Sequence, residues 1–406
     1  MCSSDLYKTV FHSRINYLHG LLSLFNGKPA RANTLFRKAE TPFMNDLGHS
    51  ITEKARFFYY QSQALDKSGH YNESSFQLRK ALSLLDQTEN TVLRKEYEET
   101  LKERHKDGWL LHSAGRFIGP DQIEMILNDT GKEGFQGKSS DVAILFSDIR
   151  EFTKLSEGIS AGNLIELLNR YLSTMSKYIH LQSGIIDKYI GDAIMALFFS
   201  QQSSNLSVVE NACVSALMMK HELIRFNRYM PAGKNKIQAG IGINFGNCVS
   251  GMIGTPQKRS LSVIGDAVNI ASRIEGLTKF LGATIIVSET LYSQLPKNHI
   301  FIFRPLGKFK LKGKTIPVAL AELMGIDNNS KEANDDKAEI QLIEKILAQF
   351  YQGNLPEAYA GFMQLYKLTE GHSRTRGYQY MADYTKNIID AGIPKDWDGS
   401  FQLVEK

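Results

Sequence analysis

Apolar and aromatic positions recur three and four residues apart from residue 7 to about residue 104, and proline is almost absent there. That period lays an apolar stripe along a helix, so residues 1–104 are predicted to be an α-helical region. From residue 138 the pattern changes. VAILFSDI, at 142–149, reads as a buried strand, and IELLNRYLSTMSKYIHLQ, at 165–182, as an amphipathic helix. IIDKYIGDAIMALFF, at 185–199, reads as two short strands with a turn at Gly191. VVENACVSALMMKHELIRFNRYM is helical, KIQAGIGINFGNCVSGMIG strand-rich, and DAVNIASRIEGLTKFLG helical again. TIIVSETLYSQL and the strand runs FRPLGKFKLKG and PVALAEL follow. Strands alternating with helices predict a mixed α/β domain over 138–325. Residues 105–137 are Gly-rich and polar, with one short helix opened by Pro120, and read as a linker. A second, polar linker is expected over 326–336, and a helical C-terminal extension with a loose tail over 337–406.

A weak repeat runs through the helical segments. Gly27 heads GKPARA and then LFRKA, and Gly69 heads GHYNES and then QLRKA, 42 residues further on. A third copy begins at Gly353 with GNLPEA. Each puts glycine at a turn and a small residue five positions later, where a following helix must pack closely. The pattern resembles tetratricopeptide helix pairs, with helices longer than the usual period of about 34. A plain helical bundle is the other reading. Either form serves docking or regulation, which implies a protein partner at the repeats.

Composition narrows the class. The chain has 406 residues, a net charge of +5 and three cysteines, Cys2, Cys213 and Cys248. So small a charge predicts no general nucleic-acid binding. No CxxC occurs, so neither a disulfide framework nor a zinc site is expected, and a reducing, cytoplasmic setting fits. No run reaches the ~18 apolar residues of a membrane span, and the first residues lack the apolar stretch of a signal peptide.

The charges inside IIDKYIGDAIMALF need an explanation, because an unpaired buried charge costs roughly 3–5 kcal/mol. Asp192 follows the Gly191 turn, and Asp148 ends the run VAILFSD. Two carboxylates at neighbouring strand ends suit divalent cations that also hold substrate phosphates. A helix-capping role is the alternative. IREFT follows Asp148 and offers free backbone N–H groups at a helix start, a cradle for phosphate. Asn269 and Arg273 lie four apart, on one face of the predicted helix.

FSDIREFT, DKYIGDAIMALF, GIGINFGNCVSGMIG and LSVIGDAVNIASRIE together resemble the class III adenylate/guanylate cyclase catalytic domain, over about 138–325. The resemblance implies a ferredoxin-like α/β (α+β) fold. It implies that Asp148 and Asp192 bind two divalent cations, Mg²⁺ or Mn²⁺, with the Ile149 carbonyl assisting. Phe152 and Thr153 fall in the phosphate-holding loop. Lys188 and Ser262 take the base-reading positions, Asn269 orients the ribose, Arg273 stabilises the α-phosphate, and Lys312 holds the distal phosphates. The implied reaction is attack of the ribose 3′-oxygen on the α-phosphorus, with pyrophosphate leaving. Such sites form between two catalytic domains, so a homodimer with shared sites is implied. Asp187 is assigned no role and is expected to be solvated or paired.

Two departures matter. Ser262 stands where most adenylate members have Asp, as in a subgroup that responds to bicarbonate. Glu151 replaces the usual Gly in the phosphate loop, where its charge would weaken ATP binding unless it faces solvent. Lysine offers only donors and serine offers either role, which suits the N1 acceptor and N6 donor of adenine. Guanine would set its N1–H against Lys188. ATP is therefore the expected substrate. A guanylate cyclase is the alternative, a diguanylate cyclase lacks its GGDEF-type signature, and a scaffold acting through the helical repeats is the non-enzymatic reading.

Overall fold

The computed structural model describes residues 3–402, apart from 47, 86–87, 89, 107–136, 200–205, 229, 231–235, 256–257, 328–330 and 396. The linker expected over 105–137, with its Pro120 helix, lies almost wholly outside the described residues. The chain divides into two units, Met1–Lys132 and Glu133–Lys406.

The first unit is helical. It contains α1 (Ser3–Phe25), α2 (Pro29–Asn45), α3 (Ile51–Lys67), α4 (Tyr71–Leu85) and α5 (Thr91–Arg104). Helix α1 packs on α2, and α3 on α4. The turns between them use Gly27 at φ 71° and Gly69 at φ 79°, where a Cβ would be strained. Ala32 and Ser74, five residues after each glycine, are fully buried. Ser50 and Glu53 form a reciprocal capping box that starts α3. Phe36, Phe43, Phe57, Leu78, Leu82 and Tyr97 form the core of this unit.

The second unit is built on one sheet. Its elements are β1 (Lys138–Ile149), α6 (Phe152–Glu157), α7 (Ala161–Leu181), β2 (Ile185–Ile190), β3 (Ala193–Phe198) and α8 (Val208–Arg228). Then come β4 (Ala239–Thr255), β5 (Lys258–Ile264), α9 (Asp266–Leu281), β6 (Ile285–Ser288), α10 (Glu289–Tyr292), β7 (Phe301–Lys310) and β8 (Val318–Ile326). Helices α11 (Lys331–Tyr351), α12 (Leu355–Leu368) and α13 (Thr375–Ala391) and strand β9 (Phe401–Gln402) complete it. The strand order is β2-β3-β1-β4-β6-β8-β7-β9, with β5 hairpinned onto β4. Strand β1 runs antiparallel to both β3 and β4.

The alternation along β1 feeds two cores, as a two-residue period requires. Ala143, Leu145 and Ile149 join the core that includes α7 and α8. Val142, Ile144 and Phe146 join the opposite one, with Ala267 and Ala271 of α9. Helix α9 lies directly against β4. A Cβ on Gly242 would come within 2.3 Å of the Glu275 backbone nitrogen. That contact fixes the height of α9 over the sheet.

The C-terminal segment differs from the expected extension. Ile343, Leu347, Phe350, Phe362, Tyr378 and Phe401 share one core with Ile274, Leu277, Leu281, Leu306 and Phe309. The tail is not loose at its start. Strand β9 pairs in parallel with β7, and Phe401 stacks on Phe350 with ring centroids 4.7 Å apart. The polar stretch at 326–336 is also shorter as a linker, because α11 begins at Lys331. Acidic residues at a helix start oppose the macrodipole favourably, so this polarity marks a helix N-terminus as well as a linker.

Candidate functional site

Two carboxylates meet at the end of β1. The Ile149 N–H donates to Asp148 Oδ1 at 3.0 Å and to Asp192 Oδ2 at 3.2 Å. Asp192 reaches this point because Gly191, at φ 66°, turns β2 back into β3. Burial, then the hydrogen bond and charge of Asp192, push the Asp148 carboxyl up to about 7. Glu275 of α9 is likewise pushed up to about 7, first by burial and then by Asp148. Like charges that share one amide are what a divalent cation relieves, so the donor set fits such an ion. Among the described residues, no group of three or more His, Cys, Asp or Glu is placed to hold a metal. The chain therefore offers two carboxylates, and substrate phosphates would complete the coordination.

The loop after this pair turns sharply. Glu151 sits in the left-handed region at φ 57°, a strained setting for a residue with a side chain. It precedes α6, which places the Phe152 and Thr153 amides in a first helical turn without intrahelical partners. Glu151 is exposed and pairs with Lys279 at 3.1 Å. Its charge is thus held by a lysine rather than left unpaired over the loop expected to hold phosphate.

Lys188 and Ser262, the two residues expected to read the base, come together around a residue assigned no role from sequence. Lys188 Nζ donates to Ser262 Oγ at 3.1 Å. The Ser262 hydroxyl donates to Asp187 Oδ2 at 3.0 Å, and Lys188 Nζ lies 3.1 Å from the same carboxylate. The Asp187 side chain is only 2% exposed, so it is paired and not solvated. Neighbouring strand residues normally face opposite ways. Here the β2–β3 register shifts between Ile186 and Lys188, and this irregularity lets Asp187 and Lys188 reach one hydroxyl. The available signal was the charged pair inside an apolar run; the bulge itself has no mark in the sequence.

Asn269 and Arg273 both lie on α9, one turn apart. The helix buries Ala267, Ala271, Ile274 and Leu277, which leaves Asn269 exposed and Arg273 half-buried. Arg273 forms no salt bridge among the described residues. Its guanidinium lies close to Gly313, where a Cβ would sit 3.7 Å from Nη2. The turn after Lys312 is therefore brought beside Arg273. Lys314 anchors that turn through an ion pair with Asp266. Three groups result: Asp148, Ile149, Asp192, Phe152 and Thr153; Lys188 and Ser262; and Asn269, Arg273 and the Lys312 turn. Among the described residues, no hydrogen bond or ion pair joins Arg273 to the carboxylate pair.

No helix among the described residues is long and apolar enough to cross a membrane. An adenylate cyclase of Anabaena cylindrica is 39% identical over 222 residues, 52% of this chain and 43% of that protein. Adenylate cyclase 1 of Rhizobium meliloti is 30% identical over 187 residues, 46% of this chain and 28% of that protein. The chain thus spans less than half the length of either relative. The solved adenylyl cyclase CyaB from P. aeruginosa is 29% identical, covering 48% of this chain and 99% of that one, at a TM-score of 0.42. Residues 136–324 match the family model of the adenylate and guanylate cyclase catalytic domain.

Proposed function

We propose that the protein is an adenylate cyclase that converts ATP to 3′,5′-cyclic AMP and pyrophosphate. The observation that carries this reading is the Asp148–Asp192 pair held on a single amide, within a cyclase-family domain. Asp148, Asp192 and the Ile149 carbonyl would hold two divalent cations, Mg²⁺ or Mn²⁺. Those ions supply activation of the ribose 3′-hydroxyl and neutralisation of the triphosphate. The Phe152 and Thr153 amides hold phosphate oxygens. Arg273 stabilises charge on the α-phosphate, Asn269 orients the ribose, and Lys312 holds the distal phosphates.

Base choice follows from the Asp187 contact. A carboxylate only accepts, so the single Ser262 proton is committed to Asp187. Ser262 then presents a lone pair, which matches the N6 amino group of adenine. Lys188 keeps a donor for adenine N1. Guanine would face the pair with O6 and N1–H, an acceptor against an acceptor and a donor against a donor.

No hydrogen bond or ion pair among the described residues joins Arg273 to the carboxylates, and the family resemblance implies a homodimer with two shared sites. One protomer supplies Asp148 and Asp192, and its partner supplies Lys188, Ser262, Asn269 and Arg273. The helical unit is the regulatory and partner-binding part of this scheme. Purified protein with ATP or GTP, and Mg²⁺ or Mn²⁺, tests the reading directly. Cyclic AMP from ATP, absent in Asp192→Ala, supports it; cyclic GMP from GTP as the main product sinks the base assignment. Mixing Asp192→Ala with Arg273→Ala chains tests the shared site, because only heterodimers would rebuild one intact centre.

A further inference from the structure

A cavity of about 620 Å³ lies in the second unit, beside the phosphate loop but outside the carboxylate pair. Its charged wall is Arg150, Glu151, Lys154, Lys236, Lys279 and Arg376. Arg150 follows β1, Lys154 lies on α6, Lys236 precedes β4, and Lys279 ends α9. Arg376 comes from α13, so the C-terminal helices complete the cavity. Among the described residues, five cations face one carboxylate, and that carboxylate, Glu151, is taken by Lys279. Among the described residues, Lys154, Lys236 and Arg376 form no salt bridge.

Arg150 is the innermost of the five. Its Nη2 donates to the backbone oxygens of Thr278, at 3.1 Å, and Ala283, at 2.6 Å, at the C-terminal end of α9. Its Nε is buried and has no hydrogen-bond partner among the described residues. Glu275 and Glu322 partly offset its charge, whereas Arg376 adds to the repulsion. An orphaned buried N–H is destabilising, because its lost hydration is not replaced by a hydrogen bond. Crowded like charges around a cavity of ligand size add to that burden. A bound anion relieves both, and guanidinium and ammonium groups favour phosphate oxygens.

We propose that this cavity is a binding site for a small polyphosphorylated anion, distinct from the Asp148–Asp192 centre and independent of divalent metal. The distinction is chemical. Two carboxylates repel such an anion unless a cation lies between them, whereas this wall attracts it unaided. The site also touches the catalytic loop, since Arg150 follows Ile149, the residue whose amide holds both carboxylates. That link to the rate rests on the cyclase reading; the binding itself does not.

The test is calorimetric titration of the full chain with inorganic tripolyphosphate, in chelator, at fixed ionic strength. Wild type and Asp192→Ala should bind equally. Lys236→Glu and Arg376→Glu should each weaken binding about tenfold or more, with Lys236→Gln and Arg376→Gln as milder versions and thermal melts confirming the fold. Lys177→Glu, on exposed α7 surface outside the cavity, should change nothing. The proposal is overturned if wild type binds only with metal present. It is also overturned if Asp192→Ala abolishes binding while the cavity variants keep it, or if Lys177→Glu weakens binding as much as they do. A cyclase reading that failed would show as lost or absent turnover, which this titration does not measure.

Discussion

On β7, Arg304 is 1% exposed, yet the groups around it are matched. Its guanidinium donates to Glu322 at 2.6 and 3.1 Å and to the Tyr378 hydroxyl at 2.7 Å. Tyr378 in turn donates to Glu339, which also accepts from Arg374. Burial alone would lower the Arg304 pKa, but Glu322, Tyr378 and Glu339 hold it above the ordinary arginine range. At the end of β1 the opposite holds. Asp148 and Asp192 crowd two carboxyl groups onto one amide, and no cationic side chain among the described residues answers them. The first cluster joins β7 and β8 to α11 and α13 and is complete within the chain. The second is incomplete by construction. Buried charge that is fully answered inside the fold is structural; buried charge left in surplus marks where something else must bind.

That contrast can be broken in several ways. The largest expected effect comes from removing the structural partner altogether. A chain ending at residue 325 would lose α11–α13 and β9 and expose Ile274, Leu277 and Leu281. It should show no cooperative melt; a normal melt would make the C-terminal helices an appendage. Next is Asp192→Ala, which should lower cyclic nucleotide formation by at least ~1,000-fold while leaving the melting curve intact. Arg304→Ala should do the reverse in kind. It leaves the buried Glu322 without its cation and should cost about 3–5 kcal/mol, lowering Tm by about 10 °C. A paired replacement of Arg304 and Glu322 by apolar residues should recover much of that loss.

Smaller effects sharpen the comparison. Asp187→Asn supplies a donor to Ser262 and frees its hydroxyl to point outward, towards guanine O6. The ratio of kcat/KM for ATP over GTP should fall about tenfold or more; an unchanged ratio would remove Asp187 from base selection. The smallest effect is on stability against pH. Asp148 and Glu275 keep their protons to about pH 7 in the fold, whereas unfolded carboxyls lose them near 4. Between about pH 4 and 7 the fold binds more protons, so stability falls as pH rises through that window. In chelator, Tm should be a few degrees lower at pH 8 than at pH 5.5 (about 2–4 °C), and Mg²⁺ should erase the difference.

The sequence was most legible where one local period governs. Asn269 and Arg273 share a helix face, and Gly191 turns β2 into β3, because helix spacing and glycine chemistry are short-range. The same is true of the Gly27 and Gly69 turns. Legibility ends where tertiary contact decides. Asp187 needed the register shift in β2 to reach Ser262, and no pattern of alternation announces a bulge. Arg150 and Arg376 stand far apart in the chain and meet only because α13 packs on α9. The C-terminal helices have ordinary amphipathic stripes, which say that a face is covered but not by which element.

The pairing of β9 with β7 has a consequence for biosynthesis. Phe401 is completely buried and touches Phe309, Phe350 and Phe362, residues made well before it. Contacts of such long sequence separation form late, because the intervening chain must first be ordered. On the ribosome, the core around α9 therefore stays open until residue 401 has cleared the exit tunnel. The helix that carries Asn269 and Arg273 is seated against that core, so a nascent chain would hold that helix face unset until Phe401 has emerged.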